Sequence, residues 1–459
     1  MKRGLKITTA VVLVLALLGG CAPKAEETET VFPSDSYQTE PTYTRPKPEP
    51  VETWAPYEFE AKAGTIEPVE GAERYFNNLP DVPEGQSIYD TTYLDFAFNT
   101  FKACCTDKDE NVLISPASLL FALELSACGA DGETLNEINS ALFPGLSNEE
   151  ALSMSLSYYE KLNDLSEGKL LIANGVFINS EYGDSVYKDY LDLVEQGFGA
   201  QIQTIDSSSE SVDLVNRWVY WNTRGMIPKI MDEIDPSQIM LIVNALTFES
   251  AWTRFYEESD IEYNEKFLNS KGEKDKVNML ESCESGYFET DKAVGFMKYY
   301  HDYNFAFIVM LPVDDSISAN EFIQNFTSDD YREFINSMEI DDIECHFPEF
   351  SYEYTNENMI EVFYNMGIQK VFSPGEADLS NTSDIEGLYV SSFLHKTFIE
   401  VNRQGTWAAA VTTSGTAIYS APPPSLWINR PFVYMIVDTE TMTPLFIGTV
   451  NSIDYQFEG

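Results

Sequence analysis

The chain has 459 residues, 44% of them hydrophobic and 13% aromatic, enough for one large domain or two ordinary ones. Its 75 acidic against 28 basic residues give a formal charge of −47. Such a charge repels phosphate backbones and anionic lipid surfaces and argues against nucleic acid as a partner; its plainest meaning is solubility.

The amino end, MKRGLKITTAVVLVLALLGGC, begins with Lys2, Arg3 and Lys6, continues in an apolar run from Ala10 to Leu18, and closes on Leu18-Gly19-Gly20-Cys21. Charge, short apolar helix and small residues are the order a secretory signal needs, and the run is shorter than the roughly 20 residues of a spanning helix. The Cys directly after Leu-Gly-Gly resembles a bacterial lipoprotein signal over residues 1–20, with the thiol of Cys21 taking the lipid. An ordinary signal peptide or a short membrane anchor is the other reading. Residues 21–86 are rich in Pro, Glu and Thr and lack apolar periodicity, which predicts an extended, disordered stalk holding residues 87–459 off a membrane. The expected location is therefore extracytoplasmic.

From Ser87 onward the chain changes character. Leu94, Phe96, Ala97, Phe98 and Phe101 fit a helix with one face inward. Ser115 can cap the next helix, with Pro116 at its first position, where a missing N–H costs nothing. That helix is apolar nearly all round through Leu119–Ala127 and predicts burial. Gly129 reads as its end, and Thr134 with Glu137 as a capping box for the helix that follows. LLIANGVFI (170–178), IMLIVNALTF (239–248) and FAFIVMLPV (305–313) are long apolar strands that must be covered on both faces. Val212, Val215, Trp218 and Val219 have helical spacing, MIEVFYNMGIQKVF (359–372) reads as a helix, and PFVYMIVDTETMTPLFIGTV as a hairpin. Helices come mostly early and strands mostly late, which predicts an α+β domain with large antiparallel sheets.

The motifs of enzymes are missing. The cysteines at 21, 104, 105, 128, 283 and 345 show no CxxC spacing, and His301, His346 and His395 are scattered. Neither a disulfide framework nor a zinc site follows from them. There is no HExxH, no GxSxG and no Walker A loop, so no cofactor, metal or catalytic residue is expected.

One stretch remains unexplained by an ordinary fold: GTWAAAVTTSGTAIYSAPPP, from Gly405 to Pro424, twenty uncharged residues between two strand-like segments. Together with NVLISPASL, VNALTFESAWTRF, FPEFS, MGIQKVFSPGEADLS, LHKTFIEVNRQGTWAAA and RPFVYMIVDTETMTPLFIGTV, it resembles the serpin family, the segments falling in the family's order across residues 88–455. The resemblance implies three β-sheets, eight or nine helices and an exposed reactive-centre loop. It implies a monomeric suicide-substrate inhibitor: a serine protease cleaves the loop, and the loop then inserts into the main sheet and traps the acyl-enzyme. A non-inhibitory serpin acting as a surface binding or chaperone-like protein shares the same fold and is the alternative.

The loop's composition fits a segment that lives first in water and later in a sheet. Large apolar residues would aggregate, and a charge facing the core would cost several kcal/mol. From the hinge Gly405, one face carries Thr406, Ala408, Ala410 and Thr412, and the other Trp407, Ala409, Val411 and Thr413. The resemblance turns the first set toward the core. Two positions depart from the family pattern, Arg403 and Trp407, where inhibitory members usually carry Glu; an exposed ion pair at Arg403 would be worth only about 0–1 kcal/mol. Ser115, Ser118, Asn244 and His395 match the family's polar cluster beneath the opening sheet, and Trp252 the aromatic at its top. Counting from Gly405 puts the reactive bond at Tyr419-Ser420, and counting back from Pro431 at Ser420-Ala421. Tyr419 is preferred because its ring offers a protease pocket more area to bury. It points to chymotrypsin-like or subtilisin-like proteases, with an elastase-like enzyme choosing a smaller neighbour.

Overall fold

The computed structural model describes residues 79–80, 93–165, 170–301, 303–340, 342–406 and 424–454. The expectations for Cys21, Trp407, Ala408, Ala409, Ala410, Tyr419 and Ser420 lie outside the described residues, as does the stalk except for residues 79–80, where Leu79 packs against the core and the Pro80 carbonyl accepts from Ser153 at 2.7 Å. Among the described residues there are nine α-helices and four sheets.

The largest sheet runs Leu113–Ile114, Thr443–Val450, Phe432–Asp438, Phe305–Pro312, Ala293–Tyr299 and Gly286–Glu289. Its Phe305–Pro312, Phe432–Asp438 and Thr443–Val450 strands are buried at every position, which is why they read as unbroken apolar runs. The last two form the expected antiparallel hairpin. Gly448 lies opposite Tyr434, whose ring would be 2.3 Å from an added Cβ, so only Gly lets that ring lie flat.

A second sheet joins Ser425–Trp427, Ile343–Pro348, Lys274–Glu284 and Ile261–Leu268. The remaining two sheets lie end to side. One holds Gln201–Ile205, Leu170–Asn179 and Met240–Phe248, and the other Phe350–Asn356, His395–Val401, Gly405–Thr406 and Ser250–Ala251. Because Ser250–Ala251 follows Met240–Phe248 almost directly, these two are parts of one larger sheet divided by a seam. That division is why four sheets are found where three are expected.

Both faces are covered in the part of the divided sheet that holds Leu170–Asn179 and Met240–Phe248. The helix Pro116–Ala127 is buried along its whole length and packs against Met240–Phe248 and Thr443–Val450. On the opposite face the helix Ser209–Asn222 sets Val215, Trp218 and Val219 against Phe177, Leu241 and Val243. Trp218 meets Phe177 edge-on at 5.5 Å.

Three local expectations are corrected. Helix Pro116–Ala127 ends at Cys128 in right-handed backbone, and Gly129 is required instead for a close approach: a Cβ there would lie 1.9 Å from Thr382 Oγ1. The next helix, Gly132–Leu142, is capped by Asp131, which accepts from the Gly132 amide at 2.7 Å. Thr134 and Glu137 face away, accepting from the backbone amides of Asp378 and of Gln369 and Lys370. The 359–372 helix is shorter than its periodicity suggests. It spans Met359–Asn365 and stops because Gly367 turns left-handed at φ 96°, leaving Lys370–Phe372 as a separate 3-10 turn. Cys104, Cys105, Cys128 and Cys345 are buried free thiols, and Cys283 is half-buried.

Candidate functional site: the hinge and the seam

The seam lies between Met240–Phe248 and His395–Val401. Among the described residues no ladder joins these strands to each other; they are bridged at one end only, by Gly405–Thr406. Thr406 pairs with Val401 on one side and Ser250 on the other, and Gly405 with Ala251, all antiparallel. A chain leaving Thr406 in this direction therefore runs antiparallel to both flanking strands.

The hinge is held by a tight turn. Asn402 Oδ1 accepts from the amides of Gln404 and Gly405 at 2.9 and 3.2 Å, and the Asn402 amide donates to the Gly405 carbonyl at 3.0 Å. Trp252, buried, clasps the turn twice: its indole N–H donates to the Asn402 carbonyl and its amide to that of Gln404, each at 2.9 Å. Its ring stacks on Tyr300 at 4.6 Å, and the Tyr300 hydroxyl sits 2.6 Å from Thr406 Oγ1. Thr406 thus points inward, and its hydroxyl has a buried partner. Behind this group the buried Lys298 ammonium is paired with Glu284 at 2.6 Å and lies over the Tyr256 ring at 4.6 Å.

Arg403 makes more than the exposed ion pair that its position suggests: beside a surface contact with Glu258 at 3.4 Å it binds a buried carboxylate. Its amide and its Nε both donate to Glu349 Oε1, at 3.0 and 3.3 Å, and the Glu349 carboxylate is 1% exposed. Asn278 donates to the other Glu349 oxygen at 3.0 Å. Removing one partner of such a pair strands a buried charge, and the usual cost is about 3–5 kcal/mol, several times that of a surface pair.

The four polar residues expected beneath the sheet do come together, around the first turn of Pro116–Ala127. Ser115 caps that helix, accepting from the Ser118 amide at 3.2 Å while its hydroxyl donates to the Leu445 carbonyl at 2.7 Å. The Ser115 amide donates to His395 Nε2 at 3.4 Å, and the Ser118 hydroxyl donates to Asn244 Oδ1. Asn244 in turn donates to Asn174 at 2.5 Å. The two sides of the seam are thus each tied to the same helix turn. Burial pushes the His395 imidazole down to about 4, so it is neutral and can accept. Trp252 is set apart from the four, against the hinge.

Sequence reasoning missed Tyr300, Asn402, Glu349 and Lys298. Asn402 could have been suspected from the Asn-x-x-Gly spacing of a turn. The others are distant partners that carry no local signal.

The described fold thus combines three sheet systems, a seam beside a buried helix and a hinge at one end of that seam. The family model for Serpin (serine protease inhibitor) matches residues 91–453, and the chain belongs to the serpin family. It is similar to a serpin-like protein of Methanosarcina acetivorans, 29% identical over 79% of this chain and 87% of that protein. It is similar to the leukocyte elastase inhibitor of Xenopus laevis, 26% identical over 78% and 97%. Among solved structures it resembles the thermophilic serpin tengpin in the native state, with 36% identity, TM-score 0.73, and 82% of this chain against 96% of that one.

Proposed function

We propose that this chain is a suicide-substrate inhibitor of serine-type proteases, with Tyr419-Ser420 as the bait bond. The observation that carries this is the hinge: Gly405–Thr406 already occupies the end of the seam, antiparallel to both flanks, with Thr406 facing inward. If the ladder continues without a bulge, each further residue of the loop has a defined pair of neighbours. Ala408 falls between Phe248 and Ile399, Ala410 between Leu246 and Thr397, and Thr412 between Asn244 and His395. Small side chains are what a slot between buried Phe248 and Ile399 can accept. Insertion would bring Thr412 level with the polar pair at Asn244 and His395, which the helix turn at Ser115 and Ser118 keeps in place.

In the reaction the protease serine attacks the Tyr419 carbonyl, the Tyr419-Ser420 bond breaks, and Ser420 leaves as a new amino terminus. The loop then zips downward from Thr406, carrying the esterified Tyr419 and the protease. The fourteen residues 406–419 span roughly 46 Å when extended, at about 3.3 Å each. The Leu18-Gly19-Gly20-Cys21 run supports anchoring through a lipid on Cys21, so that a monomeric inhibitor stands on a stalk outside the cytoplasm.

The test is incubation with chymotrypsin-like, subtilisin-like and elastase-like proteases. The expected result is an adduct that survives SDS and releases a peptide from Ser420 to Gly459. Cleavage without any adduct would sink the inhibitory reading and leave a non-inhibitory serpin; a peptide beginning at Ala421 would move the bond by one residue.

A further inference from the structure

The sheet formed by Ser425–Trp427, Ile343–Pro348, Lys274–Glu284 and Ile261–Leu268 carries an unassigned cluster on one face. His346 lies directly across the ladder from Glu281, and Glu262 reaches in from the neighbouring edge strand. One ligand atom from each of Glu262, Glu281 and His346 lies within 4.8 Å of the others. His346 is only 3% exposed, yet its Nδ1 has no hydrogen-bond partner, and neither has the buried Oε2 of Glu262, 3.7 Å away.

The other ring nitrogen already has a partner. His346 Nε2 is 2.9 Å from Glu344 Oε1, and a carboxylate accepts, so in the neutral imidazole that a metal requires the proton sits on Nε2. That leaves a lone pair on Nδ1 aimed between the two glutamates. A histidine oriented by a carboxylate on its far nitrogen is the arrangement that metal sites use to fix tautomer and raise ligand basicity. One imidazole and two carboxylates suit a first-row divalent cation, zinc foremost. Tetrahedral zinc ligands stand roughly 3.3–3.6 Å apart at bond lengths near 2.0–2.2 Å, so the two glutamates must close by about 1 Å. Glu262 is 42% exposed in its side chain and has room to do so.

We infer that Glu262, Glu281 and His346 form a divalent-cation site that fastens the strand following the reactive loop. The cation would cross-link three strands of this sheet, and the fourth is bound to them through His346. Trp427 stacks flat on its ring at 3.9 Å and 9°, and the Ile428 amide donates to its carbonyl at 2.8 Å. Polarising the imidazole makes it a better partner for the Trp427 face. The site is independent of whether the loop inhibits a protease.

The experiment is zinc titration of the full chain by calorimetry in chelator-free buffer with excess magnesium, alongside Glu281→Gln, Glu262→Gln and His346→Asn. The expected result is one zinc per chain, weakened at least about tenfold by either Gln variant and abolished by His346→Asn. Hydrogen exchange at residues 425–428 should slow several-fold with zinc in the wild type and stay unchanged in Glu281→Gln, whose side-chain change leaves the fold intact. Affinity unaltered in the Glu262→Gln/Glu281→Gln double variant would mean that zinc sits elsewhere on the acidic surface, and absence of stoichiometric binding at micromolar zinc would overturn the site.

Discussion

Acidification should loosen the seam through one residue, His395. Its ring is fully buried, is held down to about 4 from an ordinary value of 6.5, and accepts from the Ser115 amide. A histidine depressed in the fold contributes stability that is present above 6.5 and is lost as pH falls toward 4. The separation between those values corresponds to about 3 kcal/mol, a large part of the margin of an ordinary domain. Protonation also removes the acceptor and places a cation beside the strand edge that borders the seam. Many carboxylates titrate in the same range, so the measurement must be a difference. Urea unfolding of the wild type and His395→Gln, followed from about pH 7 to about pH 4, isolates the histidine because the carboxylate contributions are common to both. The stability advantage of the wild type over the variant should shrink by about 3 kcal/mol across that range. A difference that stays constant to within about 1 kcal/mol would show that His395 is not a buried neutral acceptor and would refute the reasoning.

Glu124 should behave with the opposite sign. Burial pushes its carboxyl up to about 7 although Ser155 donates to it at 2.7 Å, so its contribution is full below about 4.5 and is lost as pH rises toward 7. Glu124→Gln should therefore be more stable than the wild type above neutrality by about 3 kcal/mol in a denaturant melt, with the gain vanishing in acid. Thr406→Arg buries an unpaired cation in place of a hydroxyl bonded to Tyr300, at a cost of several kcal/mol. The variant should still be cut by a target protease but form no SDS-stable adduct; undiminished adduct would mean that Thr406 does not lead insertion. Cys21→Ala should move the protein from the membrane to the soluble fraction, and persistence at the membrane would discard lipid attachment at this thiol.

The parts of the fold legible in the sequence were those whose burial is uniform or whose signal is local. The helix Pro116–Ala127 announced itself by apolar residues on every side and a Ser-Pro start. The strands Phe305–Pro312, Phe432–Asp438 and Thr443–Val450 did so by unbroken hydrophobic runs. The Lys274–Glu284 and Ile261–Leu268 strands went unread because one face is exposed and charged, which dilutes the apolar signal. The capping residues of Gly132–Leu142 were misassigned for a related reason. Thr134 and Glu137 have the spacing of a box, but partners more than two hundred residues away claim both side chains. Arg403 was misjudged in the same way, since nothing near it in the chain reveals that Glu349 is buried beside it. The resemblance located the polar cluster, yet that the cluster ties both sides of the seam to one helix turn emerges only from the folded chain, through contacts between residues far apart in sequence.

The turn from Asn402 to Gly405 has a kinetic consequence. Starting a new strand ordinarily requires bringing distant residues together, and that closure entropy precedes any reward from hydrogen bonds. Here the first rungs, Val401 with Thr406 and Ser250 with Thr406, exist before any cut is made. Every later residue would add to a hairpin whose bend is four residues long and already locked by Asn402 and Trp252. Growth of the strand is then propagation without nucleation, and hairpin-type steps run on microsecond scales. In the proposed inhibitory reaction the pace of trapping would then be set by how quickly the two halves of the sheet part below Thr406, and the residues governing that rate would be Ser115, Ser118, Asn244 and His395 rather than the loop itself.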